Sequence, residues 1–243
     1  MKRKKNLLRY EMPTFIDGIP PYQPTYHFKG DYIDESHAFY ATCLMEEHLI
    51  NVGIDGWLRQ EDALKLYEMA YFAQGPILEL GSYHGLSTSI LSLANRNSGL
   101  TKEIFSVELG SESHEKTRAN LEERSLARNV HFIQGEAVLF CQDAARLGKS
   151  YNLIFIDHDH AYGSVLGVCR ELGKITAPGG FCLFHDWLDS RNYDPENKDY
   201  GVYQATRDGL NPTQLQFYGV FGVVGLYRKR YGNFLTWLMR RAA

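Results

Sequence analysis

Two sets of residues in this sequence have the types and spacing that chemistry requires. Asp157-His158-Asp159-His160 follows the apolar run 153–156, and His185-Asp186-Trp187 follows the apolar run 181–184. Carboxylates and imidazoles gathered at two such ends can hold a divalent cation, or an imidazole can take the proton of an attacking hydroxyl. The second set begins with Glu79-Leu80-Gly81-Ser82-Tyr83-His84-Gly85, which opens directly into Leu86-Ser87-Thr88-Ser89. Glycines at a strand-to-helix turn let the backbone approach a ligand and aim helix N-terminal amides at an anionic group. Glu108 closes the next apolar run, where a carboxylate can accept both hydroxyls of an adenosine ribose. Gln134-Gly135-Glu136-Ala137 closes the third, where an acid can take the adenine amino group. Acids at three successive strand ends point to an adenosine cofactor. NAD and FAD fit poorly, because the GxGxxG pattern places a glycine where this chain has Tyr83 and its last glycine one residue beyond Gly85.

These groups need a frame. Short, continuously apolar runs at 77–80, 104–108, 130–134, 153–156 and 181–184 alternate with helical stretches at 86–95, 113–124, 136–147 and 164–174. That rhythm predicts a doubly wound α/β sheet of Rossmann-like type, parallel and covered on both faces, with ligands at the carboxyl ends of its strands. Runs 215–220 and 223–228 flank Phe221-Gly222 and predict a C-terminal antiparallel hairpin. A helix over 61–72 precedes the first strand, with Leu64, Tyr67, Met69 and Tyr71 near one face, and Gly75-Pro76 ends it. Residues 6–60 are rich in Tyr, Pro and His without this rhythm. The expected division is an N-terminal cap or lid over 1–60, a catalytic domain over 61–230 and a C-terminal tail over 231–243. In that tail Phe234, Leu235, Trp237, Leu238 and Met239 precede Arg240-Arg241 in an amphipathic pattern.

The ExGxxxG turn, the acid after the second strand and the Gly-acid-Ala after the third together resemble class I methyltransferases, over roughly residues 56–228. Gly56-Trp57-Leu58, the stretch ILELGSYHGLSTSIL and the stretch LIFIDHDHAY…PGGFCLFHDW resemble the small-molecule O-methyltransferase group. That group includes catechol-type and macrolide-sugar enzymes and proteins labelled cephalosporin hydroxylases. The resemblance implies S-adenosyl-L-methionine bound by Glu79, Gly81, Ser82, Tyr83, His84, Gly85, Ser87, Glu108, Gly135, Glu136, Ala137 and Asp157. His84 would contact the methionine carboxylate or face solvent. The strands ending at Ile156 and Phe184 are neighbours in this fold, about 4.8 Å apart, so their end groups can converge on one atom. Metal-dependent relatives carry an Asp at the position of Asp157 and an Asp-Asp or Asp-Asn pair where this chain has His185-Asp186. The expected metal set is therefore Asp157, His185 and Asp186, and the imidazole shifts preference from Mg²⁺ toward Mn²⁺, Fe²⁺ or Zn²⁺. Asp157, His158, His160 and His185 are the expected catalytic residues. His158 ranks ahead of His160 as base, with Asp159 to orient it, and Tyr162, Trp187 and Trp57 would wall an acceptor pocket.

The implied reaction is O-methylation of a small molecule such as a specialised metabolite, phenol or sugar, assisted by a divalent metal. The alternatives are a metal-independent methyltransferase with a histidine base, a non-haem iron oxygenase, and a binding module that lost catalysis. A net formal charge of −3 over 243 residues, with no basic patch in the middle of the chain, gives no field for a nucleic acid. The basic start at residues 1–5 leads into too short an apolar run for a signal peptide or a membrane span. Cys43, Cys141, Cys169 and Cys182 form no CxxC pair and read as buried thiols in a reducing cytoplasm. The acceptor and any homo-oligomer stay open at this level.

Overall fold

In the computed structural model, which describes residues 32–194 and 196–231, the alternating pattern becomes a seven-stranded sheet. Its strands are β3 (Ile77–Leu80), β4 (Ile104–Glu108), β5 (Val130–Gln134), β6 (Tyr151–Ile156), β7 (Thr176–Phe184), β8 (Leu215–Phe221) and β9 (Val224–Lys229). A two-stranded ribbon, β1 (Met45–Glu46) with β2 (Leu49–Ile50), precedes them. The order across the sheet is β5-β4-β3-β6-β7-β9-β8. Strands β3 to β7 pair in parallel and β9 runs antiparallel to both neighbours, which places the expected hairpin at one edge. The chain winds outward from β3 through β5 and then crosses back to β6. The β3/β6 boundary is therefore the point where the strand order reverses and a crevice opens.

Helices α1 (Glu35–Tyr40), α2 (Gln60–Phe72), α3 (Leu86–Asn97), α4 (Ser111–Glu123), α5 (Ala137–Arg146), α6 (Tyr162–Ile175) and α7 (Val202–Gly209) complete the fold. Successive strand residues face opposite sides, so each strand feeds two cores. Ile77, Ile104, Leu153, Phe155 and Leu183 pack with α2 and α3, whereas Leu78, Leu80, Ile154, Ile156 and Phe184 pack with α5, α6 and α7. All four cysteines are buried and free. Among the described residues no helix is long and apolar enough to cross a membrane.

One expectation is corrected. Helix α2 is not apolar on a single face, because Asp62 through Ala70 are buried without interruption. Its outer side is covered by Ile33, Tyr40, Cys43, Ile50, Ile54 and Leu58, and His37 Nε2 lies 3.1 Å from the Leu64 carbonyl oxygen. Residues 33–58 thus share the core of the sheet, and their α1 and β1–β2 elements are too short to show a period. Residues 1–31 of the expected cap, and Phe234, Leu235, Trp237, Leu238 and Met239 of the expected tail, lie outside the described residues.

Candidate active site

Parallel registration sets the site. Leu80 pairs with Ile156 and Ile156 with Phe184, so the next residues, Gly81, Asp157 and His185, emerge side by side. Backbone bonds continue one step past the strands: Asp157 N donates to Leu80 O at 2.8 Å and His185 N to Ile156 O at 3.0 Å. Above this row opens a cavity of about 1080 Å³, lined at one end by Gly81, Ser82, Tyr83, Ser87, Glu108 and Gly135-Glu136-Ala137. At the other end Asp157, His158, His160, His185 and Asp186 line it.

The first end is built largely from backbone. Gly81 sits at φ 86°, and a side-chain carbon there would lie 2.2 Å from the Asp157 carbonyl oxygen, so only glycine lets β3 and β6 close up. Gly85, at φ 93°, precedes α3, and a side chain there would press on Leu121 and Thr117 of α4. Its role is helix packing, and it is not part of the cavity lining. Glu108 Oε2 accepts from Ser82 N (3.1 Å) and Tyr83 N (2.9 Å), and its Oε1 accepts from Gly110 N (2.9 Å). Glu136 caps α5 by accepting from Val138 N and Leu139 N while it faces the cavity. Glu79 lies beneath the turn, fully buried, and accepts from Thr88 Oγ1 (2.6 Å) and Ser106 Oγ (2.8 Å). Burial pushes its carboxyl up to about 7 against the hydroxyls that donate to it. Glu79 therefore braces α3 and β4 from below. His84 also stands outside the cavity lining, with Nδ1 3.1 Å from Asp55 Oδ2 and its ring stacked on Tyr83.

The second end is built from side chains. Asp157 Oδ1 lies 3.0 Å from His185 Nδ1 and 3.4 Å from His160 Nε2; Asp186 Oδ2 lies 3.4 Å from the same His160 atom. One donor atom each from Asp157, His160 and His185 falls within 4.8 Å of the others, a grouping that can hold a cation. Burial alone would raise the Asp157 carboxyl, but His185 and His160 more than offset it and hold it at about 2. Burial would lower the His185 imidazole, yet Asp157 and Asp186 drive it well above its ordinary value. Asp186 adopts φ 54°, a left-handed conformation that few residues other than Gly, Asn and Asp accept. His160 is clamped in a stack: the Tyr200 ring lies 4.8 Å away at 9°, and the Arg191 guanidinium covers Tyr200 at 3.8 Å. Tyr200 also donates to Asp186 Oδ2 at 3.3 Å.

His158 is held differently. Its Nδ1 lies 3.3 Å from Ser164 Oγ, its Nε2 is buried without a hydrogen-bond partner, and burial lowers its pKa to about 4. Asp159 does not orient it by a hydrogen bond; it accepts from Ala161 N at 3.1 Å ahead of α6. Of the three expected pocket aromatics only Trp57 lines the cavity, packed 4.9 Å from the Tyr83 ring. Trp187 is core, 1 % exposed and donating to Thr206 Oγ1, because Gly225 of β9 leaves room for its indole. Tyr162 faces Asp208 outside the cavity.

Asp62 goes unmarked in the sequence, and Asp189, Arg191 and Tyr200 are marked only through their stretch, which together with the N-terminal segment through Trp57 is expected to close over the acceptor. The last three sit in the loop 188–200, which carries no recognisable code, and all three line the cavity. An acid in a first helical turn, as Asp62 is, reads only as a complement to the helix dipole. In the structure Asp62 Oδ2 lies 3.6 Å from His185 Nε2.

Residues 78–187 match a family model described as a methyltransferase domain, and that stretch contains both sets of chemistry-bearing residues. With the sheet order above, that stretch has the fold of a methyltransferase domain. No curated protein matches its sequence. Among solved structures it is similar to the O-methyltransferase TomG from Streptomyces achromogenes, involved in tomaymycin synthesis and crystallised with S-adenosylmethionine. That match has a TM-score of 0.57 and 19 % identity over 72 % of this chain and 82 % of that one. An O-methyltransferase from Bacillus cereus in complex with S-adenosylhomocysteine gives 0.57 and 17 % over 80 % and 87 %. An S-adenosylhomocysteine-bound methyltransferase from Podospora anserina gives 0.56 and 18 % over 73 % and 80 %. At these identities the likeness is one of fold.

Proposed function

We propose that the chain transfers a methyl group from S-adenosylmethionine to a hydroxyl of a small molecule, with a divalent cation held by Asp157, His160 and His185. The observation that carries the reading is the adjacency of the two ends of one cavity, since Gly81 of the glycine turn rests against the backbone of Asp157. The donors suit a cation: His160 Nε2 is buried without a hydrogen-bond partner while two carboxylates face it at 3.4 Å. Relative to the set expected from the sequence, His160 stands with Asp157 and His185, and Asp186 moves to the flank, tied to Tyr200. Two imidazoles and one carboxylate favour Mn²⁺, Fe²⁺ or Zn²⁺ over Mg²⁺.

Bound S-adenosylmethionine supplies an electrophilic methyl group, and a bound cation lowers the pKa of a hydroxyl it touches. The chain's own contribution is placement. The glycine turn and the N-terminus of α3 receive the carboxylate end of the cofactor, and Glu108 and Glu136 face its ribose and adenine. A carboxylate offers about four lone-pair sites and Glu108 already uses three, so accepting two ribose hydroxyls releases one loop amide. Trp57 and the 188–200 loop close the acceptor side, exclude water and align the hydroxyl with the methyl carbon. As a proton acceptor His158 is poorly matched: held at about 4, it is neutral at pH 7 but a weak base. The same donor set, two imidazoles and one carboxylate, also suits a non-haem iron oxygenase.

The test is incubation with S-adenosylmethionine and a panel of phenols, catechols and glycosides, with chelator and with Mn²⁺, Zn²⁺ or Fe²⁺ restored. The account predicts S-adenosylhomocysteine formation that chelation abolishes and metal restores. Turnover that survives exhaustive chelation would transfer the reading to the histidine base, and metal-dependent oxygen uptake without S-adenosylhomocysteine would transfer it to the oxygenase.

A further inference from the structure

His185 replaces the acid that the resemblance leads one to expect at this position, and a second residue stands behind it. Its side chain is 6 % exposed, and its two nitrogens face opposite ways. Nδ1 looks into the cluster, 3.0 Å from Asp157 Oδ1 and 3.6 Å from Asp186 Oδ1. Nε2 looks away from it, has no hydrogen-bond partner, and faces Asp62 Oδ2 at 3.6 Å.

Asp62 comes from the first turn of α2, far from His185 in sequence, and its side chain is fully buried. Both of its oxygens are tethered by backbone amides: Oδ1 accepts from Val223 N at 3.0 Å, and Oδ2 accepts from Arg59 N at 3.2 Å. Gly222 makes the space, since a side-chain carbon there would lie 2.2 Å from Asp62 Oδ1. His185 is the only cationic side chain within ion-pair distance of Asp62 among the described residues. A buried carboxylate is costly to leave without a charged partner, and here it is fixed opposite one ring nitrogen.

We infer that Asp62 is a positioning residue whose carboxylate accepts from the Nε2–H of His185, keeping the proton on that nitrogen so that Nδ1 is the atom offered to a cation beside Asp157 and His160. The inference rests on the metal-assisted reading. A histidine that ligates a metal commonly donates its other ring N–H to a carboxylate, and that partner sets ring orientation and basicity.

The experiment measures Mn²⁺ affinity on the full chain with S-adenosylhomocysteine bound, for wild type, Asp62→Asn, His185→Asp and the double variant. Asn keeps an oxygen for Val223 N but can place an amide opposite Nε2. The expected result is Mn²⁺ binding about 10- to 100-fold weaker in Asp62→Asn, with S-adenosylhomocysteine affinity unchanged. In the His185→Asp background no imidazole remains to be oriented, so the Asp62→Asn penalty disappears. Wild-type Mn²⁺ affinity in Asp62→Asn, or equal penalties in both backgrounds, overturns the inference and leaves the metal site standing. A wild type that binds no Mn²⁺ overturns the metal reading itself. Long-range ¹H–¹⁵N spectra of the Zn²⁺-loaded wild type need no variant: protonated Nε2 with ligated Nδ1 is expected, and the reverse assignment overturns the inference.

Discussion

The two ends of the cavity are built by different means. At the ends of β3, β4 and β5 the walls are a glycine turn and acids that backbone amides already engage; Glu108 accepts three and Glu136 two. At the ends of β6 and β7 the walls are side chains from the strand ends, with Trp57 and Arg59 ahead of α2 and with Asp189, Arg191 and Tyr200. There His158 and His160 each bury an Nε2 without a hydrogen-bond partner. A satisfied scaffold suits a ligand that is always the same. Buried polar atoms left unpaired are costly and mark where a further group is to be bound.

This contrast predicts that damage at the second end removes metal binding and chemistry while sparing cofactor binding, and that damage at the first end weakens cofactor binding while sparing the metal site. The largest effect falls on Asp157→Ala, which loses Mn²⁺ binding and about 10²-fold or more in kcat, the several kcal/mol that a cation supplies. Its S-adenosylhomocysteine affinity by calorimetry stays near that of wild type; a large loss there would break the separation of the two ends. Glu108→Ala reverses the pattern, weakening S-adenosylhomocysteine by about 1–3 kcal/mol while Mn²⁺ affinity holds. Gly81→Ala, which puts a side chain at φ 86° against the Asp157 carbonyl, is expected to lower stability by roughly 1–3 kcal/mol and disturb both ends together. Denaturant melts and both binding assays read it. Tyr200→Phe keeps the stack on His160 but loses the bond to Asp186, so only a few-fold change in Mn²⁺ affinity is expected, on the scale of one hydrogen bond of about 1 kcal/mol.

The segment that covers α2 makes a prediction outside the cavity. His37 is buried against α2 and Tyr67, and burial lowers its pKa from 6.5 to about 4. The unfolded chain then takes up the proton first as pH falls. Stability is fully present above about pH 6.5 and declines toward pH 4, by up to roughly 3 kcal/mol from this residue. Urea unfolding at pH 7 and pH 5 measures the slope, and His37→Gln is expected to flatten it.

The first end was legible in the sequence because its information is local. Strand, turn and helix follow one another within a dozen residues around Gly81, and the strands at 77–80, 104–108 and 130–134 have the bounds that the apolar runs predict. The second end was legible only where it lies on strands. Asp157, His160, His185 and Asp186 do converge, but Asp62, Arg191 and Tyr200 arrive through tertiary packing, which leaves no period to read. Trp187 shows the opposite failure: its place after a strand end suggests a pocket wall, and the glycine opposite it in β9 turns it into core. The one-sided reading of α2 failed because residues 33–58 cover its outer face.

The claim that the two ends form one site is tested most directly on the bound cofactor. The measurement is the ¹³C line of the S-adenosylmethionine methyl group in the complex as Mn²⁺ is added, without acceptor. The account predicts strong paramagnetic broadening in wild type and none in Asp157→Ala with the cofactor still bound. A wild-type line that stays sharp at saturating Mn²⁺, or one that broadens equally in Asp157→Ala, would contradict it.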